Sequence, residues 1–320
     1  MPRSLMREDR SRRRYPVRID SSTVFAETPQ QYRASQQIPV ALKTSRGLLY
    51  NCDCLHLLRA LRNESIDCIF ADPPFNLGKD YGHDVNDQLE RKVYLNWCYT
   101  WLEQCCRVLK PGGALFVYIL PRWSFHLAAF LDDHLAFRHW IAISMKGTFP
   151  RGDRLYPAHY SLLYFTKGKP AVFNRDDVRL PIPQCRHCGK DIKDYGGHRK
   201  YLNPLGLNLT DFWDDTSPNR HRKFKFRKIN ELKSMIPERA IRLTTRENHI
   251  VLDPFGGGGS TYEAAERLGR LWIGCEIADV RPIVERLRTG DLFLDGKGPP
   301  QKLATVFRAP SQDFVITVEQ

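Results

Sequence analysis

A chain of 320 residues with 42% hydrophobic content can bury one large core plus a smaller insertion. Its mean hydropathy is −0.45 and no apolar run approaches about 20 residues, which argues against a membrane-spanning chain. The N-terminus lacks an apolar signal core, so the expectation is a soluble, cytoplasmic protein with no membrane partner.

The formal net charge of +13 is concentrated rather than spread. Residues 1–18 carry seven arginines against Glu8 and Asp9. Residues 218–233 carry seven lysines and arginines against Glu231, and the two segments hold eleven of the thirteen net charges. Such clustering fits a phosphate-binding surface, and a solvated charged face is the plainer alternative.

Residues 1–45 lack steady periodicity and read as a flexible basic arm. Residues 46–166 read as βαβ elements. A helix is predicted near Leu55–Leu61, and Ile66-Asp67-Cys68-Ile69-Phe70-Ala71 has the apolar character of a strand buried on both faces. An amphipathic helix is predicted around Val93–Leu109, stopped by Lys110-Pro111-Gly112-Gly113, with strands over Ala114–Leu120 and Tyr160–Thr166. Asn76–Asp87, rich in Gly, Asp and Asn, reads as a loop next to the first strand's end. Lys146 and His159 are candidates for the same neighbourhood. Over residues 167–228 the periodicity fades, which marks an insertion. Residues 229–290 return to the α/β pattern, and 291–320 form a C-terminal tail. Most of the nine cysteines sit inside apolar segments, as reduced thiols packed as small hydrophobes do.

The predicted strand 66–71 ends in Asp72-Pro73-Pro74-Phe75, at the sheet edge where α/β folds place their ligands. These residue types suit a demanding reaction. An aryl amine is a poor nucleophile because its lone pair is delocalised into the ring. Two acceptors gripping both N–H groups draw the nitrogen toward tetrahedral geometry and stabilise its developing charge. Asp72 supplies one acceptor and the Pro73 carbonyl the second, on a backbone stiffened by two prolines. Phe75 offers a ring on which a flipped base can stack.

Far downstream, His249-Ile250-Val251-Leu252 reads as a strand and Asp253-Pro254-Phe255-Gly256-Gly257-Gly258-Gly259 as a tight loop. Ser260-Thr261 open a helix stopped at Gly269, and Leu271-Trp272-Ile273-Gly274-Cys275 makes the next strand, ending at Glu276. A carboxylate at that point suits ribose hydroxyls. No lysine precedes Ser260, as a triphosphate loop would require. A pyrophosphate beside Asp253 would meet like charge. S-adenosylmethionine brings an ammonium and a sulfonium instead, so the charge pattern favours that cofactor.

Together these stretches resemble the DNA amino-methyltransferases that modify adenine N6 or cytosine N4. Asn51-Cys52-Asp53-Cys54 and Asn230-Glu231-Leu232 are also similar to that family. The order, with the Asp-Pro-Pro-Phe tetrad first and the glycine loop last, resembles its permuted β group, and the resemblance spans roughly residues 45–290. It implies a doubly wound, mostly parallel α/β sheet of the S-adenosylmethionine-dependent type, with target recognition in the insertion. Asp72, Pro73, Pro74 and Phe75 are then the catalytic pocket. Asp253, Pro254, Phe255, Gly256, Gly257, Gly258, Ser260 and Thr261 wrap the cofactor's methionine part, Glu276 takes its ribose, and Asp53 reaches its adenine. The tetrad's usual tyrosine is replaced here by Phe75. Family members acting on cytosine N4 usually carry serine where Asp72 stands, so adenine N6 is the favoured base. Double-stranded DNA is the implied partner; a homodimer and a cognate restriction enzyme are compatible with the family and are not read from the residues.

Within 218–233, Phe224 and Phe226 alternate with Lys223, Lys225 and Arg227, so a strand there would face DNA with one side and the core with the other. Arg220, Arg222, Lys223, Lys225, Arg227 and Lys228 are accordingly the expected DNA contacts. In the insertion, Cys185-Arg186-His187-Cys188-Gly189 has the form of half a zinc knuckle, with His198, and His187 or His221, as candidates to complete it. A redox-inert pair in a surface loop is the competing reading. Trp213-Asp214-Asp215 reads as a core corner that caps the insertion.

Overall fold

The computed structural model describes residues 38, 40–79, 87–145, 155, 157–185, 187–191, 195–215 and 231–289. Nine strands form a single sheet: β1 (Val40–Lys43), β2 (Gly47–Tyr50), β3 (Ile66–Ala71), β4 (Leu109–Ile119), β5 (Ala136–Ser144), β6 (His159–Thr166), β7 (Phe212–Trp213), β8 (Ile250–Asp253) and β9 (Leu271–Cys275). Their order across the sheet is β1-β2-β9-β8-β3-β4-β6-β5-β7. The run from β2 through β9, β8 and β3 to β4 is parallel, and β1 and β6 join it antiparallel. Among the described residues the α-helices are α1 (Cys54–Ala60), α2 (Arg91–Val108), α3 (Pro121–Asp132), α4 (Met235–Thr244), α5 (Ser260–Arg267) and α6 (Arg281–Thr289).

The central strands are apolar because they are covered on both faces. Ile66, Cys68, Ile69, Phe70 and Ala71 of β3 and Val251 and Leu252 of β8 are fully buried. Strand β3 matches its predicted bounds, as does β9. Helix α2 starts two residues before its predicted start and packs Tyr94, Cys98, Trp101, Leu102 and Cys105 inward at helical spacing. Strand β4 begins at Leu109, earlier than Ala114, because Lys110 is drawn onto β3 by both oxygens of Asp67 at 2.8 Å. Asp67 also accepts from the Ile250 amide at 2.8 Å, so one carboxylate ties β3, β4 and β8 at the edge remote from the strand tips.

Chain order places β3 and β8 side by side, although the stretch read as an insertion lies between them in sequence. From β3 the chain proceeds outward to β4, and from β8 it proceeds the other way to β9. The two connections diverge at this junction, which is the topological switch point where such sheets open a crevice. The insertion hands a strand back at its far end, since β7 pairs in parallel with β5 at Ala142 and Ile143. Trp213 is fully buried there, its indole N–H donates to the Thr210 carbonyl at 2.8 Å, and the Arg239 guanidinium lies 4.7 Å from its ring. Arg239 is in turn paired with Asp215, so Trp213 and Asp215 form the core corner expected from the sequence.

Truncating Trp213 to alanine removes a filled core volume and strips Arg239 of its ring partner. Trp213→Ala is expected to cost about 3 kcal/mol or more of folding stability. The measurement is the chemical denaturation midpoint, and an unchanged midpoint would show that β7 is a passive attachment.

Candidate functional site

Asp72 follows β3 and Asp253 closes β8, so parallel pairing alone brings the two carboxylates to one end of adjacent strands. They line a cavity of about 340 Å³, together with Asp53, Phe75, Tyr118, Tyr160, Glu231, Glu276 and the Gly256–Gly258 loop. That volume suits a small-molecule site.

The tetrad is held by side chains from two helices. The Tyr94 hydroxyl of α2 donates to the Pro74 carbonyl at 2.7 Å, and the Trp123 indole of α3 donates to the Phe75 carbonyl at 2.9 Å. Pro73 is the member of the rigid pair whose carbonyl receives no such side-chain donor among the described residues. The loop beyond is anchored by Asp87, which is buried and accepts from the amides of Asn76 (2.7 Å), Leu77 (3.0 Å) and Lys79 (3.0 Å). Asn76 sits in the left-handed region at φ 55° and exchanges hydrogen bonds with the backbone of Leu89. Phe75 is mostly buried, with ring centroids of Tyr118 and Tyr160 at 6.0 and 5.9 Å. Together the three rings form a tilted aromatic wall. The Tyr118 hydroxyl is raised well above its usual range by burial and by the charges of Tyr160 and Asp72, so it stays a neutral phenol.

The glycine loop closes against β9 and α6. A Cβ at Gly256 would lie 2.8 Å from the Tyr262 hydroxyl, and one at Gly258 would lie 2.9 Å from the Glu231 side chain. Neither position has room for one. Glu276 accepts from the amides of Gly257 (2.6 Å) and Ala278 (2.9 Å), which fixes its carboxylate at the cavity wall. Asn51 fixes this corner by donating to the carbonyls of Glu276 and Ala278. Asp53 lines the same end while capping α1, its Oδ1 accepting from the Leu55 amide at 2.8 Å. Ser260 and Thr261 are buried at the start of α5 and also line the cavity. Phe255 turns edge-on to Trp97 and Trp101 of α2 and so couples the loop to the tetrad's supporting helix.

Electrostatics at the strand tips are unfavourable to anions. Burial pushes the Asp253 carboxyl well above the usual range, the Thr261 hydroxyl and Phe255 amide oppose that rise, and the charges of Asp72 and Glu276 add to it. A cation brought to this end removes the repulsion. The Cβ-free loop and the buried acids therefore fit S-adenosylmethionine: Glu276 would take its ribose, and the Asp253 loop its charged amino-acid end.

Several expectations are redrawn. Cys185, Cys188 and His198 are not gathered: among the described residues no three His, Cys, Asp or Glu side chains are placed to hold a metal. The Cys185 amide donates to the Lys190 carbonyl and the Gly189 amide to the Cys185 carbonyl, next to an isolated bridge between Gln184 and Asp191, whereas the His198 ring packs near Tyr201. His159 pairs with Ser144 and does not line the cavity; its neighbour Tyr160 does. Arg220, Arg222, Lys223, Lys225, Arg227 and Lys228, like Lys146 and His221, lie outside the described residues. The nine cysteines are free thiols; six of them are buried, Cys52 and Cys185 are half-buried, and Cys188 is exposed. Sequence reasoning missed Tyr94, Trp123, Asp87 and Tyr118, which act through backbone atoms or ring packing and carry no local motif.

A doubly wound sheet with acids and a glycine loop converging at its switch point defines an α/β protein with a crevice at the carboxyl ends of its central strands. Residues 66–281 match the N6/N4 family model, described as DNA methylase, and the chain belongs to that family. It is 47% identical over 262 residues to Type II methyltransferase M.BamHI of Bacillus amyloliquefaciens, a match covering 82% of this chain and 62% of that protein. It thus spans about three fifths of that relative's length. It is 32% identical over 230 residues to Type II methyltransferase M.HpaI of Haemophilus parainfluenzae, covering 70% of this chain and 69% of the relative. Among solved structures, PvuII DNA methyltransferase (cytosine-N4-specific) shares the fold with a TM-score of 0.56 at 20% identity, over 78% of this chain and 88% of that one.

The Asp253 carboxyl has a clear pH consequence. A raised folded-state pKa stabilises the protein below the unfolded value of about 4 and withdraws that stability as pH rises through the folded value. The ligand-free protein is therefore expected to lose thermal stability on going from weakly acidic to neutral pH, and Asp253→Asn to flatten the loss. Equal slopes for the two proteins in a melting series would contradict the assignment.

Proposed function

We propose that this chain transfers a methyl group from S-adenosylmethionine to the exocyclic amino nitrogen of a base flipped out of double-stranded DNA. One observation carries the reading: Asp72-Pro73-Pro74-Phe75 and the Asp253 glycine loop open into the same cavity. When bound, the cofactor supplies an electrophilic methyl on a sulfonium leaving group. The chain's part is to hold and polarise the acceptor. Asp72 takes one N–H of the amine and the Pro73 carbonyl the other, so the nitrogen lone pair is turned out of the ring toward the methyl. Tyr94 and Trp123 keep the loop from rotating those acceptors away. The aromatic wall of Phe75, Tyr118 and Tyr160 receives the base and offsets part of the unstacking cost. The extra proton on nitrogen leaves after transfer, so no base with a shifted pKa is needed.

Adenine N6 is the base that Asp72 favours on the family resemblance. Cytosine N4 presents the same two N–H donors, and the pair of acceptors serves it by the same chemistry. The basic segment 218–233 supplies phosphate contacts in this reading. A homodimer and a cognate restriction enzyme are compatible with this reading.

The test is methyl transfer from labelled S-adenosylmethionine to unmethylated duplex DNA, followed by nucleoside digestion. N6-methyladenine is the expected product, and N4-methylcytosine would keep the mechanism and change the base. Asp72→Ala is expected to lower kcat about 10²-fold or more with the cofactor Kd nearly unchanged. Substantial residual turnover would remove Asp72 from its role.

A further inference from the structure

The first turns of α2 and α3 stand together behind the tetrad. Tyr94 and Trp123, which hold the Pro74 and Phe75 carbonyls, have ring centroids 4.8 Å apart. Arg91 of α2 donates to Nε2 of His126 on α3 at 2.6 Å, so the helices are tied at their outer surface as well. That surface is cationic. Arg91, Lys92 and Arg122 are exposed on it, and neither first turn contains an acidic residue. Lys79, 6.0 Å from the Phe75 ring centroid, carries the row of cations to the cavity wall. Asp87 is buried and occupied by three backbone amides, and Glu90, exposed beside Arg91, offsets only part of the charge. Two exposed apolar side chains sit among these cations. Phe125 is 53% exposed, its ring centroid 3.9 Å from that of His126, and Val93 is 52% exposed.

Local stability does not account for this ledge. Cations at the start of a helix oppose its dipole, and an apolar ring left in water forgoes the gain of burial. The Arg122 guanidinium lies 4.5 Å from the Trp123 ring, a contact that leaves its charge in place. A nucleic-acid strand matches both features, with phosphate oxygens for the cations and π-faces for the ring. The basic segments 1–18 and 218–233 of this chain would instead be repelled. Position agrees with that partner. Arg91 precedes Tyr94 by three residues, about 5 Å along the helix axis, and Tyr94 lines the cavity. A nucleotide whose base enters the cavity keeps its sugar and phosphates at the mouth, within an arginine's reach.

We infer, on the reading of this chain as a DNA methyltransferase, that the ledge binds the strand carrying the extruded base. Arg91, Lys92 and Arg122 take its phosphates, and Phe125 packs against a base beside the extruded one.

Two measurements on the full chain test this: methyl transfer to unmethylated DNA, and affinity over a salt series for a fluorescent duplex that the wild type methylates. Absence of transfer by the wild type would sink the proposed function itself. The ledge variant is Arg91→Gln with Lys92→Gln and Arg122→Gln. Its control, Lys43→Gln with Arg59→Gln and Lys169→Gln, removes three exposed cations from the opposite edge of the sheet. The ledge variant is expected to bind the duplex about tenfold or more weakly and to lower the slope of log Kd against log salt by about 2 to 3. The control is expected to keep the wild-type slope. Both are expected to bind S-adenosylhomocysteine within about twofold of wild type. Phe125→Ala keeps every charge, so the DNA KM should rise about fivefold or more at an unchanged slope. Lys92→Gln alone, worth about one unit of slope, serves if the triple variant does not fold. Equal weakening by the ledge and control variants would reduce the effect to net charge and overturn the inference. So would a loss of S-adenosylhomocysteine affinity in the ledge variant, which would make these residues supports of the tetrad only. An unchanged KM for Phe125→Ala would remove the ring from the interface.

Discussion

Gathering carboxylates at the tips of adjacent parallel strands is the constraint on which this molecule is organised. Asp72 and Asp253 are neighbours because β3 and β8 are neighbours, and both project into a cavity too enclosed for water to screen them fully. Glu276 adds a third acid at the tip of β9. The protein spreads this charge by giving each group its own donors, such as the Phe255 amide for Asp253 and the Gly257 amide for Glu276. What local donors leave uncompensated favours a cationic ligand. That preference follows from strand order and residue type, before any specific contact is considered.

The supports of the site come from parts of the chain that are distant in sequence. Helix α2 sends Tyr94 to the tetrad and Trp97 and Trp101 to Phe255, so it braces the catalytic loop and the glycine loop at once. Helix α3 adds Trp123, and α6 reaches back with Arg286. A site assembled this way is rigid where acceptors must be aimed. The stretch after β6 contributes short 3₁₀ turns and then rejoins the sheet at β7, where Trp213 and Arg239 lock its return. Its remainder is thereby free to vary without disturbing the sheet's centre.

Much of this was legible in the sequence because central parallel strands and glycine loops impose strong local patterns. Ile66–Ala71 and Leu271–Cys275 have the apolar runs that only two-sided burial demands, and both ended where the structure ends them. The acids at the strand tips were visible by the same logic. What the sequence concealed acts at a distance. Asp87 reads as one more polar residue in a loop, yet it anchors that loop through three amides. Tyr118 and Tyr160 lie on β4 and β6, and only the antiparallel pairing of those strands brings them to Phe75. His159 and Tyr160 illustrate the limit of a one-residue phase error: alternation along a strand sends one of them to the cavity and the other away. The Cys185–Cys188 spacing fitted a metal site, but spacing within one turn says nothing about whether further ligands converge.

The central claim is that the two acidic strand tips serve one ligand and one reacting atom. A crystal structure of the chain with S-adenosylhomocysteine and a duplex bearing its target tests this most directly. The expected arrangement has the adenosine against Glu276 and Asp53, the sulfur between the glycine loop and Asp72, and an extruded base with its amino group on Asp72 and the Pro73 carbonyl. A cofactor bound elsewhere, or an extruded base whose amino group does not reach Asp72, would contradict it.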